Sequence, residues 1–598
     1  MQKEIKRKAG LYAIIASLMA IVLGSLCYNL GYIPQIQVPQ ASSLLKTFSS
    51  REEIGDFLKA NSKTQAPYMF LGPMDTRAGR FVSVLSPIIN SLAEGVKGYS
   101  MDFAYSTTNI QVAGVDEADV VKTDGEYIYL MTGNNVSILK AYPPEEAREV
   151  AKITFNDTYT VGIFVSGDRL VVLGCKYAVP PMYFNSYIMD VKTFANVYDI
   201  SNKTNPILLR TFTLTGSYFN SRMIGKYVYF VVSQPSYLIF DTVILPKTYS
   251  NSGVKEISPS EIHYSNTSDN YYVFTTFAAL NMQNTTEEPT YLTLMMGGTS
   301  NMYVSLSNVY VTFREQDDKT SIYRVRIENN NMTCEAQGKV SGHELNQFSM
   351  DEYKSYFRIA TTTWANGTSQ NNLYILNMNL SVVGSLENIA PEEAIDSARF
   401  IENRCYLSTS VVRRDPFFVI DVENASDPKI LGYLKIPGFT RYLHPYDENH
   451  LIGVGRDADN NVKISLFDVS NVSAPIEISR YAVDGMWSDA LVLTEHKAFL
   501  FDKPKDLLVI PISTYHANTS GYNGLLSQAA YIFNVTLSQG FELRDKITHQ
   551  ETGVEGGDNR YWVTRALYIQ DVLYTLSDAK VKLNSLEDLA FIKEIELN

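Results

Sequence analysis

The chain has 598 residues, 45% of which are hydrophobic, and it carries a formal net charge of −13. This apolar fraction can build a large core and excludes a globally disordered chain. The acidic balance disfavours a nucleic-acid-binding protein, because phosphate contacts require a basic surface. The 40 tyrosines and 28 phenylalanines favour β-structure, since aromatic side chains suit half-buried pleated surfaces.

The N-terminus combines a basic segment with a long apolar one. Residues 9–45 contain no charged side chain, and residues 10–30 are almost continuously apolar. About 20 apolar residues span a bilayer, and basic residues stay on the cytoplasmic side. We therefore predict a cytoplasmic segment over residues 1–9, a transmembrane signal-anchor over residues 10–31 and an extracellular body. A cleaved signal peptide and a buried N-terminal helix are the two alternatives.

A short module follows the predicted anchor over residues 32–107. Ser50 and Glu53 form a capping box, which predicts an amphipathic helix reaching to about Ala60. Residues 61–107 lack clear periodicity and are predicted to form a linker that lifts the remaining domain, residues 108–598, off the membrane.

Asn-x-Ser/Thr sequons recur along the predicted extracellular part, as surface loops of an exported protein require. From Asn284 to Asn331 the spacing is 47 residues, and the next three steps are 48, 45 and 47 residues. A period of this length marks a repeat architecture, and four strands per repeat are typical of a propeller blade. The twelve sequons are Asn135, Asn156, Asn202, Asn266, Asn284, Asn331, Asn366, Asn379, Asn424, Asn471, Asn518 and Asn534.

The sharpest repeats place an aspartate at the end of a buried strand, three residues before a sequon asparagine. The copies read VYDISN, VIDVEN and LFDVSN, and each is followed by a proline. Asp and Asn bond the backbone two residues on, and Pro fixes φ. We therefore interpret Asp199, Asp421 and Asp468 as turn caps and not as acids of a site.

Nine units can be traced, and they predict an all-β fold made of one β-propeller of four-stranded antiparallel sheets. Eight blades are favoured because a terminal unit can be split to close the ring, and seven or nine blades are the alternatives. Two stacked β-domains are the competing architecture. Insertions near residues 176–192, 241–268 and 511–528 are expected to decorate one face. The units begin near Val120, Val161, Phe219, Met302, Phe348, Ile395, Arg441, Met486 and Arg560.

The run TNIQVAGVDEADVVKTDG over residues 108–125 resembles the archaeal and bacterial family of secreted proteins with a C-terminal β-propeller domain, which is distantly similar to WD-repeat propellers. The segments YLHP (442–445), GVGRDAD (453–459) and KAFLFD (497–502) resemble it too. The resemblance spans roughly residues 47–597. It implies an extracytoplasmic, membrane-associated propeller and no particular activity. The hairpin after Asp459 is shorter than in the family.

Two groups of carboxylates are candidate calcium ligands, because Ca²⁺ takes six to eight oxygens. The first group is Asp116, Glu117, Asp119 and Asp124, for which a charged strand edge at the closure of the ring is the alternative. The second contains Asp457 and Asp459, in a loop that lacks the glycine and the terminal glutamate of a calcium loop. No other cofactor is predicted.

Other site chemistry finds no local support in the sequence. The seven histidines show no zinc-type spacing, and there is no nucleophile elbow, phosphate-binding loop or dinucleotide fingerprint. Beyond the predicted anchor, Cys175, Cys334 and Cys405 are interpreted as buried thiols, with one disulfide as the alternative.

These observations predict a non-catalytic extracellular protein that binds a partner or scaffolds the cell envelope. Expected partners are the membrane, through the N-terminal helix, and an envelope protein or polysaccharide, with no nucleic acid. The alternative is an extracellular hydrolase or oxidoreductase with a loop-built, metal-dependent site at the channel mouth. Glycans on seven sequons between the third and fourth strands are predicted to ring one rim of the propeller: Asn202, Asn284, Asn331, Asn379, Asn424, Asn471 and Asn534.

Overall fold

A computed structural model describes residues 45–62, 105–178, 190–236, 238–239, 241–265, 271–315, 317–365, 367–410, 414–516, 525–550 and 558–597. The predicted signal-anchor (10–31) and most of the predicted linker lie outside these residues. Within them, no helix has both the length and the apolar character needed to cross a bilayer.

Nine antiparallel sheets, each containing a blade-like set of four strands, follow one another along the described part of the chain. We number them sheet 1 to sheet 9. In sheets 1–3 the strands are Val121–Thr123, Tyr127–Thr132, Asn135–Lys140 and Arg148–Thr154; Tyr159–Ser166, Arg169–Ala178, Asp190–Asp199 and Ile207–Thr215; Ser217–Ile224, Tyr227–Pro235, Val273–Asn281 and Thr290–Met296. In sheets 4–6 they are Thr299–Val304, Asn308–Arg314, Lys319–Glu328 and Asn331–Ser341; Met350–Tyr353, Tyr356–Ala365, Thr368–Asn377 and Val382–Ile389; Ala394–Ile401, Arg404–Ser410, Arg414–Asp421 and Lys429–Pro437. In sheets 7–9 they are Phe439–Asp447, His450–Arg456, Val462–Asp468 and Ile476–Ala482; Trp487–Ala490, Leu507–His516, Leu525–Thr536 and Gly540–Ile547; Arg565–Ile569, Val572–Leu576, Lys580–Ser585 and Phe591–Glu596.

The core lies between neighbouring sheets, where the apolar faces of successive strands meet. Separate clusters join sheets 1 and 2, 2 and 3, 5 and 6, 6 and 7, 7 and 8, and 8 and 9. Sheets 4 and 5 meet through the stacked rings of Tyr310 and Phe357, whose centroids lie 4.2 Å apart. One further cluster packs Leu130 of sheet 1 against Ile569 of sheet 9, so apolar contact closes the ring.

The all-β propeller is therefore confirmed, and its sheets begin within a few residues of the nine predicted units. The described residues form nine such sheets, a number that lies within the predicted range of seven to nine blades. The first and last sheets each take all four strands from one continuous stretch of chain, and apolar packing joins them.

Alternation of strand direction gives each sheet two distinct ends. The turns between first and second strands and between third and fourth strands share one end, which we call the turn face. The connections between second and third strands, and those leading to the next sheet, share the other end, which we call the insertion face. All three predicted insertions fall between second and third strands, in sheets 2, 3 and 8, and the described strands that flank them end at the insertion face. Residues 179–189 and 517–524 of these insertions lie outside the described residues.

The insertion of sheet 3 covers the outer edges of two sheets. The hairpin Lys247–Ser250 and Gly253–Glu256 extends the fourth strand of sheet 2. Ile262–Tyr264 pairs with the fourth strand of sheet 3, and Lys46–Thr47 pairs with Ile262–Tyr264 in turn. Covered edges cannot template pairing with another chain. Leu238–Ile239 and Thr242–Val243 form a small separate hairpin.

The predicted helix exists as α1 (Arg51–Asn61), with Ser50 as its N-cap. The Ser50 hydroxyl accepts the Glu53 backbone N–H at 3.2 Å, whereas the Glu53 carboxylate accepts the backbone N–H of Ser49. Ile54 and Leu58 of α1 are buried in the cluster formed with the sheet 3 insertion. The helix is therefore part of the folded body around sheet 3. Seven short 3₁₀ turns complete the described elements: Pro144–Glu146, Pro259–Glu261, Gln347–Ser349, Leu491–Leu493, His496–Ala498, Lys503–Lys505 and Asn559–Tyr561.

Candidate functional site

Residues 105–119, which we call the central segment, pass along the first strands at the centre of the ring. The backbone N–H of Ser106 donates to the carbonyl of Tyr568 in sheet 9 at 2.9 Å. Asn109 Nδ2 donates to the Tyr442 hydroxyl of sheet 7 at 2.9 Å. The segment thus bridges sheets that are far apart in sequence.

Further along, the central segment reaches the opposite part of the ring. Gln111 Nε2 donates to the carbonyl of Gln347, just before sheet 5, at 3.1 Å. Asp116–Glu117 forms a short strand paired with the first strand of sheet 3. Asp119 exchanges backbone hydrogen bonds with Ile163 of sheet 2, the shorter being 2.9 Å. One segment of fifteen residues therefore contacts sheets throughout the ring.

The sequence of the central segment explains how it turns inside the ring. Val112 and Val115 are buried, and the Val115 N–H donates to the Val112 carbonyl at 3.0 Å. Gly114 in this turn has φ +81°, a left-handed conformation in which a β-carbon is strained. A Cβ there would also lie 3.2 Å from the Leu306 side chain of sheet 4.

Sheet 8 sends a loop into the same region because its innermost strand is interrupted. Trp487–Ala490 and Leu500–Asp502 both pair with Leu507–His516, and two 3₁₀ turns lie between them. This interruption carries residues 495–497 towards the central segment, where the His496 carbonyl accepts Asn109 Nδ2 at 3.0 Å.

Ionisable side chains from these elements form a compact group. Three carboxylates and three permanent cations belong to it, so its formal charge is balanced before the histidine is counted. We define this central ion cluster as Glu117, Asp119, Arg222, Glu495, His496, Lys497 and Arg565.

Glu117 of the cluster is paired with Arg222 and His496 and is 3% exposed. Its Oε2 atom lies 3.5 Å from Arg222 Nη2 and 3.4 Å from His496 Nε2. Its Oε1 atom accepts the backbone N–H of Gln111 at 3.0 Å. Burial by itself would raise the pKa of Glu117, but the charges of Arg222 and His496 outweigh it and lower that pKa.

Asp119 of the cluster is paired with Arg565 and is 4% exposed. Arg565 Nη2 donates to Asp119 Oδ1 at 2.8 Å, and the same nitrogen lies 3.5 Å from Glu495 Oε2. Lys497 Nζ lies 3.3 Å from Glu495 Oε1. Burial lowers the pKa of Lys497, but Glu495, Asp119 and Glu117 together raise it. The cluster therefore joins the central segment to sheets 3, 8 and 9.

The first group of predicted calcium ligands does not converge on one point. Glu117 and Asp119 pair with the cations described above, Asp116 Oδ1 accepts Lys122 Nζ at 2.6 Å, and Asp124 Oδ2 accepts the Tyr129 hydroxyl at 2.8 Å. Within the described residues, no three His, Cys, Asp or Glu side chains are grouped as a metal would require. Calcium at these residues stays a prediction that rests on composition.

The second predicted calcium loop is the tight connection between the second and third strands of sheet 7. Asp457 Oδ1 accepts the backbone N–H groups of Asp459 and Asn461, both at 2.9 Å. Asn460 between them has φ +71°. These contacts give Asp457 the role of a turn cap.

The repeated aspartates cap turns as predicted. The Oδ1 atoms of Asp199 and Asp468 each accept a backbone N–H two residues on at 2.8 Å, and Asp421 does so at 3.1 Å. Asp199 and Asp421 also pair with an arginine directly opposite on the second strand, at 3.0 and 2.9 Å. Cys175, Cys334 and Cys405 are free thiols; Cys175 and Cys405 are buried as predicted, whereas Cys334 is half-buried.

The insertion face carries features that the sequence patterns did not reveal. Trp364, at the end of the second strand of sheet 5, is 60% exposed. Trp487, at the start of sheet 8, is 41% exposed, and Met486 before it is 68% exposed. At the start of sheet 2, Tyr159 is 57% exposed. Exposed tryptophan is uncommon in soluble proteins and is enriched at binding surfaces.

Comparison with known proteins agrees with this architecture. The family model described as "Beta propeller domain" matches residues 105–589, which begin at the central segment and end within sheet 9. The chain belongs to this family.

Two archaeal proteins are similar to this chain over most of its length. An uncharacterised protein of Methanocaldococcus jannaschii is 28% identical, with 92% of each chain covered. An uncharacterised protein of Archaeoglobus fulgidus is also 28% identical and covers 98% of this chain and 99% of its own length. Both alignments thus cover at least 92% of each protein.

Similarity to solved structures is weak. The dihydro-heme d1 dehydrogenase NirN, solved in complex with DHE, is 10% identical with a TM-score of 0.30, covering 82% of this β-propeller chain and 75% of that chain. At this level the similarity carries no argument about the function of this chain.

Proposed function

We propose that this β-propeller is an extracytoplasmic, membrane-anchored protein that binds a partner in, or scaffolds, the cell envelope without catalysing a reaction. The observation that carries the proposal is the central segment. It fills the region where the first strands of the sheets meet, and its carboxylates are paired with arginine, lysine and histidine side chains. A region filled in this way favours a rigid platform.

A rigid platform supports binding through its exposed loops. The insertion face combines the three long connections with exposed Trp364, Trp487 and Tyr159. Aromatic side chains offer a large apolar surface at a small entropic cost, and they stack on sugar rings and pack against proteins alike. We therefore assign the binding role to the insertion face, with an envelope protein or polysaccharide as partner.

The membrane anchor and the extracellular location are part of the same proposal. They are supported by the apolar run of residues 10–30 behind a basic N-terminus, and by the sequons in the remainder of the chain.

A co-sedimentation assay tests the proposal. The full-length protein in detergent is mixed with washed envelope from cells that lack it, and the bound fraction is measured. Trp364→Ala and Trp487→Ala should each weaken binding at least about fivefold, because losing a binding-site aromatic costs roughly 1 kcal/mol or more. Tyr433→Ala is the matched control, since Tyr433 is 57% exposed on the outer strand of sheet 6. Equal binding by all three variants and the unaltered protein would reject the insertion face as the binding surface.

A further inference from the structure

Six sequon asparagines occupy equivalent, exposed positions in six successive sheets. They lie at or beside the connection between third and fourth strands in sheets 2–7, on the turn face. The six are Asn202, Asn284, Asn331, Asn379, Asn424 and Asn471.

The turns hold four of the six sequons in a common geometry. Asn202 Oδ1 accepts the Thr204 hydroxyl at 2.8 Å, and Asn284 Oδ1 accepts the Thr286 hydroxyl at 2.7 Å. The serine hydroxyls of the sequons at Asn424 and Asn471 donate in the same way, at 2.9 and 2.8 Å. In these four sequons the Ser or Thr hydroxyl thus donates to the side-chain carbonyl oxygen of its own asparagine.

The middle residue of the sequon packs inward against the preceding sheet. In sheets 5–7 the carbonyl oxygens of Leu380, Ala425 and Val472 lie 2.4, 2.1 and 2.3 Å from where a Cβ would stand on a glycine of the preceding fourth strand. Those glycines are Gly338, Gly384 and Gly432. In sheet 2, Lys203 lies 3.5 Å from Asp124 of sheet 1. Because the middle residue is anchored inward, the asparagine on its N-terminal side is held at the surface.

Exposed apolar side chains follow several of these turns on the outer strands. Ile207 is 53% exposed, Val382 46%, Ile430 42% and Ile476 50%. Each lies within six residues of its sequon asparagine on the fourth strand of its sheet, which forms the outer edge in sheets 5–7, whereas in sheet 2 the hairpin of the sheet 3 insertion pairs with part of that strand. Such edges expose unpaired backbone groups that can associate with another chain.

We propose that these six asparagines carry N-linked glycans, which form an arc along the outer rim of the turn face and cover the exposed outer strands. The reaction joins the asparagine Nδ2 to the anomeric carbon of a lipid-linked glycosyl phosphate. The bond between that carbon and the phosphate oxygen breaks, the lipid phosphate leaves, and Nδ2 loses one proton. This inference rests on the extracellular location in the proposed function.

The arc is not a complete ring. The corresponding turns of sheets 8, 9 and 1 contain no sequon, and these three sheets are neighbours because sheet 9 packs on sheet 1. Asn534, predicted as the seventh member, lies in the third strand of sheet 8, is half-buried, and donates Nδ2 to Glu542 at 3.2 Å. Asn135 and Asn156 lie at the insertion-face end of sheet 1. The geometry therefore points to glycans on six sheets and an uncovered sector of three.

Glycopeptide mass spectrometry of the full-length protein from an N-glycosylating archaeal host tests the inference. We expect glycan mass on all six asparagines and none on Asn534. Ser426→Ala should remove the glycan of Asn424, and Ser426→Thr should retain it. Both variants keep Asn424 itself, and their melting temperatures should agree within a few degrees. If the six sites are unmodified in protein that protease reaches on intact cells, the inference is overturned and the extracellular location stands. If protease reaches the protein only after lysis, the location in the proposed function fails as well.

A measurement of self-association tests whether the glycans of the arc cover the exposed outer strands. We expect a variant with all six asparagines changed to glutamine to form higher oligomers in light scattering at concentrations where the glycosylated protein is monodisperse. An equally monodisperse variant that remains folded by circular dichroism would overturn the covering role.

Discussion

Arg565 in the last sheet donates to the carboxylate of Asp119 in the central segment at 2.8 Å, joining residues 446 positions apart. Both side chains are at least 95% buried. The pair therefore fixes the beginning of the propeller domain to its end, beside the apolar contact between sheets 1 and 9.

Breaking this pair should destabilise the propeller strongly. Removing one partner of a buried ion pair leaves an uncompensated charge, so Asp119→Ala should lower the free energy of unfolding by about 3–5 kcal/mol. Chemical denaturation of the purified protein measures the change. Asp558→Ala is the control, since Asp558 pairs with Arg560 at 2.6 Å on the surface. The loss of this surface ion pair should barely change the denaturant concentration at the midpoint of unfolding. Equal effects of the two substitutions would contradict a closing role for Asp119.

The buried histidines should make the fold sensitive to acid. Burial lowers the pKa of His549 to about 3, with Lys582 and Lys580 adding to the effect, and burial together with Arg399 and His496 lowers that of His444 to about 3. In the unfolded chain the pKa of histidine is about 6.5. Between about pH 6.5 and pH 3, therefore, these two histidines take up a proton only when the chain is unfolded. Stability should fall as the pH drops from about 6.5 towards 3, by about 1.4 kcal/mol per pH unit for each histidine.

Substitution of His549 separates its contribution to this acid sensitivity. His549 hydrogen-bonds Ser577 and Thr575, both at 2.9 Å. His549→Gln should reduce the slope of unfolding free energy against pH between pH 4 and 6, whereas Ser577→Ala keeps the imidazole and should keep the slope. Unchanged slopes in both variants would show that His549 is not buried as a neutral group.

The glycines of the outer strands should be intolerant of a methyl group. A Cβ on Gly432 would lie 2.3 Å from the Val472 carbonyl oxygen of the next sheet. Because the obstruction is backbone, Gly432→Ala should destabilise the protein by about 1–3 kcal/mol in denaturant unfolding. Lys435→Ala, at an exposed position of the same strand, should change it by less than about 0.5 kcal/mol. A neutral Gly432→Ala would contradict the close packing of these turns.

Chelation distinguishes ion pairing from calcium binding at the central segment. Because Asp116, Glu117 and Asp119 are paired with protein cations, we expect EDTA to leave the melting temperature of the protein unchanged, and added Ca²⁺ to leave it unchanged too. A calcium-dependent rise in melting temperature that is lost in Asp116→Asn would instead show that calcium replaces these pairs.

The sequence predicted those parts of the fold that repeat. Asp199, Asp421 and Asp468 recur at one position because each caps the same local turn, so spacing alone located the strands around them. The boundaries of the units followed from the same local signals.

Contacts across the ring could not be predicted in this way. Glu117 meets Arg222 and His496 only because three distant elements converge at the centre, and no sequence spacing records that convergence. The acidic run around Asp119 was recognisable, but its cationic partners were not. The exposure of Trp364 could not be predicted either, because it depends on the strand ending at the insertion face.

The location of the propeller is tested most directly by labelling intact cells. Ser385 is exposed on the outer strand of sheet 5, and the native Cys175 and Cys405 are buried. A membrane-impermeant maleimide should label the full-length Ser385→Cys variant before lysis, well above the unaltered protein. Labelling that appears only after the cells are broken would contradict an extracytoplasmic binding protein.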